Sequence, residues 1–127
     1  MRCGILTGLK GIFKAECHDY PKIKHLYTDY DNEYPLYGRG FSYSRILDPS
    51  LRNPLYDESI VNDIKRHRYD IVIYGSYHRG EPFLDLVKTF YRPTEVIFIC
   101  GEDVHNCNYQ TILEKNPFYN VFVREFE

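Results

Sequence analysis

The chain has no tryptophan, one methionine and only four cysteines, and nowhere does it hold an apolar run of the length a membrane span needs. A spanning helix takes about 20 consecutive apolar residues, so that class is excluded. The first residues, MRCGILTGLK, lack the charged, apolar and small-residue regions of a secretory signal, and the expected location is the cytoplasm. The cysteines, at positions 3, 17, 100 and 107, form neither a close pair nor a knuckle. That spacing excludes a disulfide framework and a zinc ribbon and predicts reduced thiols and no metal site, although Cys17, Cys100 and Cys107 with His18 and His105 have ligand-competent atoms. A strong charge of one sign is missing too. Sixteen Lys plus Arg against eighteen Asp plus Glu leave a formal charge of -2, which gives no general attraction to nucleic acid or an anionic membrane. No GxSxG elbow, GxGxxG turn or Walker loop is present, so a hydrolase triad and the common nucleotide cradles have no support.

What the chain does have is tyrosine. There are thirteen, and six fall between Tyr20 and Tyr43. A tyrosine ring packs while its hydroxyl reaches water, which suits either a half-buried irregular segment or a stacking surface. With 127 residues the chain fits one domain, residues 1–127, large enough to bury roughly two-thirds of its unfolded surface.

Ile5, Leu6, Leu9, Ile12 and Phe13 fall along one helical stripe and predict a helix over residues 2–14, despite Gly4, Gly8 and Gly11. A short strand is expected at ECHD, 16–19. An irregular, Tyr-rich connection follows over about 20–42, then a short strand at Phe41–Leu47 and turns through DPSLRNPL. Asp57 reads as the N-cap of a helix over 58–67, with Ile60, Val61 and Ile64 inward and the basic run Lys65–Arg68 as its solvated end. Beyond it lie two short β-branched runs bounded by glycine, at 70–75 and 96–100. They suit interior strands of a parallel sheet. Between them Pro82 opens a helix carrying Phe83, Leu86, Val87 and Phe90, and Pro93 closes it. A helix over Tyr109–Lys115 and a strand over Phe118–Val123 complete βαβαβ. The fold class is therefore α/β with a mainly parallel sheet and helices on both faces.

In open α/β sheets ligands sit beyond the carboxyl ends of the strands, so the loops after 75 and after 100 share one rim. His78 and Arg79 precede a helix whose first amides face the same space, which suits a phosphate or carboxylate; Arg79 suits an ion pair with Glu81 or Asp103 equally well. Ser76, Tyr77 and Gly80 share that loop. On the neighbouring loop Glu102 and Asp103 are placed to take a proton from a hydroxyl or to hold sugar hydroxyls, and His105 to act as a base held by Asp103; capping a turn is the plainer role of the acidic pair. Gly38 and Gly40 flank Arg39 in YGRGFSY, where backbone can approach a ligand closely or simply turn.

Taken in order, GLKGIF, HDYP, YGRGFSYS, YDIVIYGSYHRGEPF, GED and FVRE give the chain a resemblance to the N-terminal lobe of two-lobed GT-B glycosyltransferase-like proteins, in particular the group related to spore-maturation glycosyltransferases. The resemblance implies a Rossmann-like three-layer sandwich that faces an acceptor, with a nucleotide sugar held mainly by a second lobe. The sequence ends at FVREFE, where that lobe would begin, so the expectation is a transferase half that is incomplete alone. His78 or Asp103 would then deprotonate the acceptor, with Ser76, Tyr77, Arg79, Gly80, Glu102, His105 and Arg39 binding ligand and no cofactor. The expected partners are a sugar or sugar phosphate, a nucleotide sugar if a second lobe is supplied, and a homodimer mate or second-lobe chain, without nucleic acid. The alternative is a noncatalytic module binding a nucleotide, a sugar phosphate or a protein.

Overall fold

A computed structural model of the chain describes residues 2–31, 43–75, 80–100, 114 and 119–123. It divides into two compact units, Arg2–Asp57 and Glu58–Glu127. The fold is α/β, with helices and a small parallel sheet. None of the described helices is long and apolar enough to cross a membrane.

The N-terminal unit opens with helix α1, Arg2–Phe13, as its apolar spacing predicts. The buried face matches the expected stripe at its first turns, where Leu6 is buried and Ile5 and Leu9 half-buried, and departs from it at the end. Leu6 and Lys10 are buried, while Ile12 and Phe13 remain 71% and 50% exposed. Leu6 packs with Leu26, Tyr27 and Leu47, and Cys3, Cys17, Ile23 and Leu51 close around them. Positions 3, 6 and 10 lie along one side of a helix, so seating Cys3 and Leu6 in this core carries Lys10 inward with them. Its ammonium donates to the carbonyl of Cys17 and lies 3.5 Å from Asp19 Oδ1.

The strand expected at 16–19 does not form. A 3-10 turn covers Lys14–Glu16, and side-chain partners occupy the residues that follow. The Cys17 carbonyl accepts from Lys10, and Asp19 Oδ2 accepts from the Ile23 amide at 2.8 Å. Of the strand expected at Phe41–Leu47, the described part reduces to a single parallel bridge, Tyr27↔Leu47. The Tyr-rich connection, as far as Asp31, is half-buried structure rather than a stacking face: a 3-10 turn at Lys24–Leu26 sinks Leu26 and Tyr27. DPSLRNPL turns as expected, with Asp48 Oδ1 accepting from the Ser50 amide at 2.8 Å. Asn53 stitches the unit together, donating to the Ala15 carbonyl at 2.7 Å and accepting from the Leu55 amide at 2.9 Å.

In the C-terminal unit the helix after Asp57 starts later than expected. A 3-10 turn over Asp57–Ser59 leads into α2, Ile60–Lys65. Ser59, not Asp57, holds the N-cap position. Its hydroxyl donates to Asp63 Oδ2 at 2.6 Å, which lets Asp63 be buried beside Ile60 and Ile64. The basic run is exposed, as a solvated helix end should be. Within it His67 stacks on Tyr91 at 4.3 Å and reaches Glu95 Oε2 at 3.2 Å.

Among the described residues three strands form one sheet in the order β1-β2-β3: β1 is Val72–Tyr74, β2 Val96–Cys100 and β3 Asn120–Val123. Both pairings are parallel, with Tyr74 opposite Phe98, and Cys100 opposite Val123. β2 is central. Val96, Phe98 and Cys100 are buried and Ile97 and Ile99 half-buried, so its two faces are covered unequally. Helix α3, Leu84–Phe90, packs with α2 and buries Val87 most deeply. Pro82 lies before this helix rather than in it, and Phe83, in the left-handed region at φ 61°, takes the N-cap position. The helix expected over Tyr109–Lys115 lies outside the described residues apart from Glu114, which is helical. Cys3 and Cys17 are free, but Cys100 is disulfide-bonded, which corrects the expectation of reduced thiols throughout.

Two outcomes follow from these contacts. Replacing Lys10 with Met leaves the buried Asp19 carboxylate without its counter-charge, and we expect a loss of about 3 to 5 kcal/mol in urea unfolding, partly recovered in the K10M/D19N double variant; K10M unfolding like the parent would refute the pairing. Near the start of β2, hydrogen bonds from the Arg92 side chain and amide hold the Glu95 carboxyl at about 2, against its ordinary 4.5. A depressed carboxyl contributes stability above its unfolded value and loses it as pH falls through the folded one. E95Q should therefore flatten the acid-induced loss of stability between pH 4.5 and about 2, read by circular dichroism; an unchanged profile counts against the assignment.

Candidate functional site

The parallel register decides where the strands end. Because Tyr74 sits opposite Phe98 and both strands run the same way, the chain leaves β1 at Gly75 and β2 at Cys100 on one edge of the sheet. These are the points from which the two candidate loops continue in sequence. Ser76, Tyr77, His78 and Arg79 lie outside the described residues, as do Glu102, Asp103 and His105 on the second loop and Arg39 in the other unit. Gly80 is described and exposed, with φ 129°, a backbone region that a side chain rarely enters.

Around this edge the supporting groups are well defined. Tyr74 is buried, stacks on Phe98 at 5.2 Å with planes 12° apart, and donates from its hydroxyl to the Pro82 carbonyl at 3.1 Å. That bond fastens the end of β1 to the approach of α3. Toward the opposite, amino end of the sheet Phe98 meets Tyr119 edge-on at 5.7 Å, and Lys88 lies over the Tyr119 ring at 5.5 Å. Burial, and after it the charge of Glu81, pushes the Tyr74 phenol well above its ordinary value. Glu81 itself stands out, because its Oε1 is buried and has no hydrogen-bond partner among the described residues. The sequence offered Glu81 only as a partner for Arg79. An acid between a glycine and a helix-opening proline looks like a cap, and nothing in that pattern signals an unanswered oxygen.

The N-terminal unit carries a second concave place that the sequence reading missed, a half-open cavity of about 270 Å³. Asp19 and Tyr27 form its buried side. Arg52 lies over the Tyr27 ring at 4.4 Å and binds Asp29 through both carboxylate oxygens, at 2.7 and 3.2 Å. Ile23, Tyr30 and three charged side chains, Lys22, Lys24 and Asp31, complete the lining. The Tyr27 residue is 2% exposed and its hydroxyl has no hydrogen-bond partner among the described residues. Desolvation first, then the nearby Asp19 carboxylate, raises its phenol to about 12. These residues are spread from position 19 to position 52 with no helical or strand period, so no local pattern could have gathered them.

Among the described residues no group of three or more His, Cys, Asp or Glu side chains is gathered closely enough to hold a metal ion. No family model, curated protein or solved structure matches the chain.

An unpartnered buried hydroxyl costs about as much as a good hydrogen bond gains, so deleting it should do little harm. We expect Tyr27→Phe, which keeps the ring under Arg52, to alter unfolding free energy by less than about 1 kcal/mol or to raise it. A larger loss in a denaturant titration would mean that the hydroxyl has a partner.

Proposed function

We propose that the chain is a Rossmann-like α/β module related to the acceptor-side lobe of GT-B glycosyltransferases, and that it binds a sugar or sugar phosphate at the carboxyl edge of its parallel sheet. The observation that carries this reading is the parallel pairing of β1 with β2, which ends both strands on one edge, the place where open α/β sheets take their ligands. The ordered resemblance of the sequence to that family supplies the ligand class. Arg79 and the amides near it steady the negative charge of a phosphate, and His78 or Asp103 takes the proton of an acceptor hydroxyl. Ser76, Tyr77, Glu102 and His105 contribute polar contacts. Glu81 joins them, since a buried carboxylate oxygen with no partner among the described residues is an acceptor waiting for a hydroxyl. A nucleotide-sugar donor enters only with a second lobe, and that lobe would come from elsewhere than these residues.

The reading is tested by calorimetric titration of the full chain with sugar phosphates, nucleotide sugars and free sugars. We expect saturable binding of a sugar phosphate, weakened about tenfold or more by Arg79→Ala, which removes a charge-assisted contact. E81Q should weaken free sugar and sugar phosphate alike. Silence across the whole panel, or affinity indifferent to both replacements, would overturn it.

A further inference from the structure

We infer that the cavity of the N-terminal unit is a binding site for a small zwitterion, a free α-amino acid or a molecule with the same charge pattern. The inference stands apart from the sheet-edge reading and uses none of its residues. It begins with charge. The lining holds three carboxylates, from Asp19, Asp29 and Asp31, and three cations, from Lys22, Lys24 and Arg52. A purely anionic ligand meets the first set and a purely cationic ligand the second, each at a cost in like-charge repulsion.

Most of these groups are already answered within the protein. Arg52 and Asp29 bind each other at 2.7 Å. Asp19 is matched from behind the wall by Lys10 at 3.5 Å and by the Ile23 amide at 2.8 Å. Lys22 donates to the Asn53 carbonyl at 3.1 Å. What is left is one cation and one anion: the Lys24 ammonium and the Asp31 carboxylate have no partner among the described residues, and both line the same opening. A ligand that satisfies both must carry a carboxylate for Lys24 and an ammonium for Asp31. Ile23 and Tyr30 offer the apolar surface against which a side chain packs. The volume, about 270 Å³, lies just under the range of about 300–1,000 Å³ in which drug-sized ligands are held, which sets the size of the guest.

The charge pattern defines the experiment. The full chain is titrated calorimetrically with free amino acids, each beside its N-acetyl form, which lacks the ammonium, and its methyl ester, which lacks the carboxylate. We expect saturable binding of at least one free amino acid, and about tenfold or greater loss on capping either end. Lys24→Met should weaken the free amino acid yet leave the ester unaffected, and Asp31→Asn should do the same for the N-acetyl form. Both positions are exposed, so the variants are expected to fold, and their thermal midpoints are read alongside. Absence of saturable binding across the panel overturns the inference. So does binding in which capped forms match the free ones, or which survives both replacements.

Discussion

A lysine with no exposed surface has to be explained before anything else in the N-terminal unit, because an ammonium removed from water is costly unless other groups replace its hydration. Lys10 obtains that replacement from the Cys17 carbonyl and the Asp19 carboxylate. The two contacts have wide consequences. They answer the ammonium that the seating of Cys3 and Leu6 carries inward, and they tie the Cys17 carbonyl and the Asp19 carboxylate to α1 where a strand at 16–19 was expected. Asp19, once fixed by Lys10 and the Ile23 amide, becomes one wall of the cavity. Attraction in a low-dielectric setting is strong, but so is the desolvation cost, and the pair is better understood as a constraint on geometry than as a net source of stability.

The C-terminal unit depends on another constraint, the direction of its strands. Parallel pairing cannot be closed by a short hairpin, so a crossover must separate each strand from the next, and every crossover returns the chain to the same starting edge. All carboxyl ends then gather on the opposite edge. The hydroxyl of Tyr74 fixes the geometry there, holding the Pro82 carbonyl while the ring lies flat on Phe98. The disulfide-bonded Cys100 ends the central strand on that edge.

The sheet was largely legible in the sequence because its signals are local. Short β-branched runs bounded by glycine place β2 on the residues expected, and β1 within the run expected, with the proline-bounded helix between them. Helix α1 was also legible as a helix, but not in the facing of its last turn. Its apolar stripe competes with a distant carboxylate at Asp19, and hydrophobic periodicity carries no information about a charge seven or more residues away. The Phe41–Leu47 strand was not legible as such: among the described residues its end bonds to the His25–Thr28 backbone, through the Arg45, Ile46 and Leu47 amides and the Leu47 carbonyl, yet forms only one bridge, Tyr27↔Leu47, and a bridge is not a ladder. Of the candidate site, sequence could locate the loops by their strands. It could not see Glu81 Oε1 or the cavity, since both are defined by what fails to lie within hydrogen-bond distance.

Unanswered polar groups are the most informative features of both units. Buried oxygen atoms without partners are uncommon because each carries a desolvation cost of about 1–3 kcal/mol, so two of them beside concave or edge positions call for a reason. At Glu81 the orphan is an acceptor close to the end of β1, and the hydroxyl of the proposed ligand would answer it. At Tyr27 the orphan is a buried hydroxyl on a ring covered by Arg52, and the groups left open toward the cavity are instead Lys24 and Asp31. The two cases therefore lead to different chemistries. One site is short of a donor to a carboxylate, the other of a matched pair of opposite charges, and a ligand suited to the first has no means of satisfying the second.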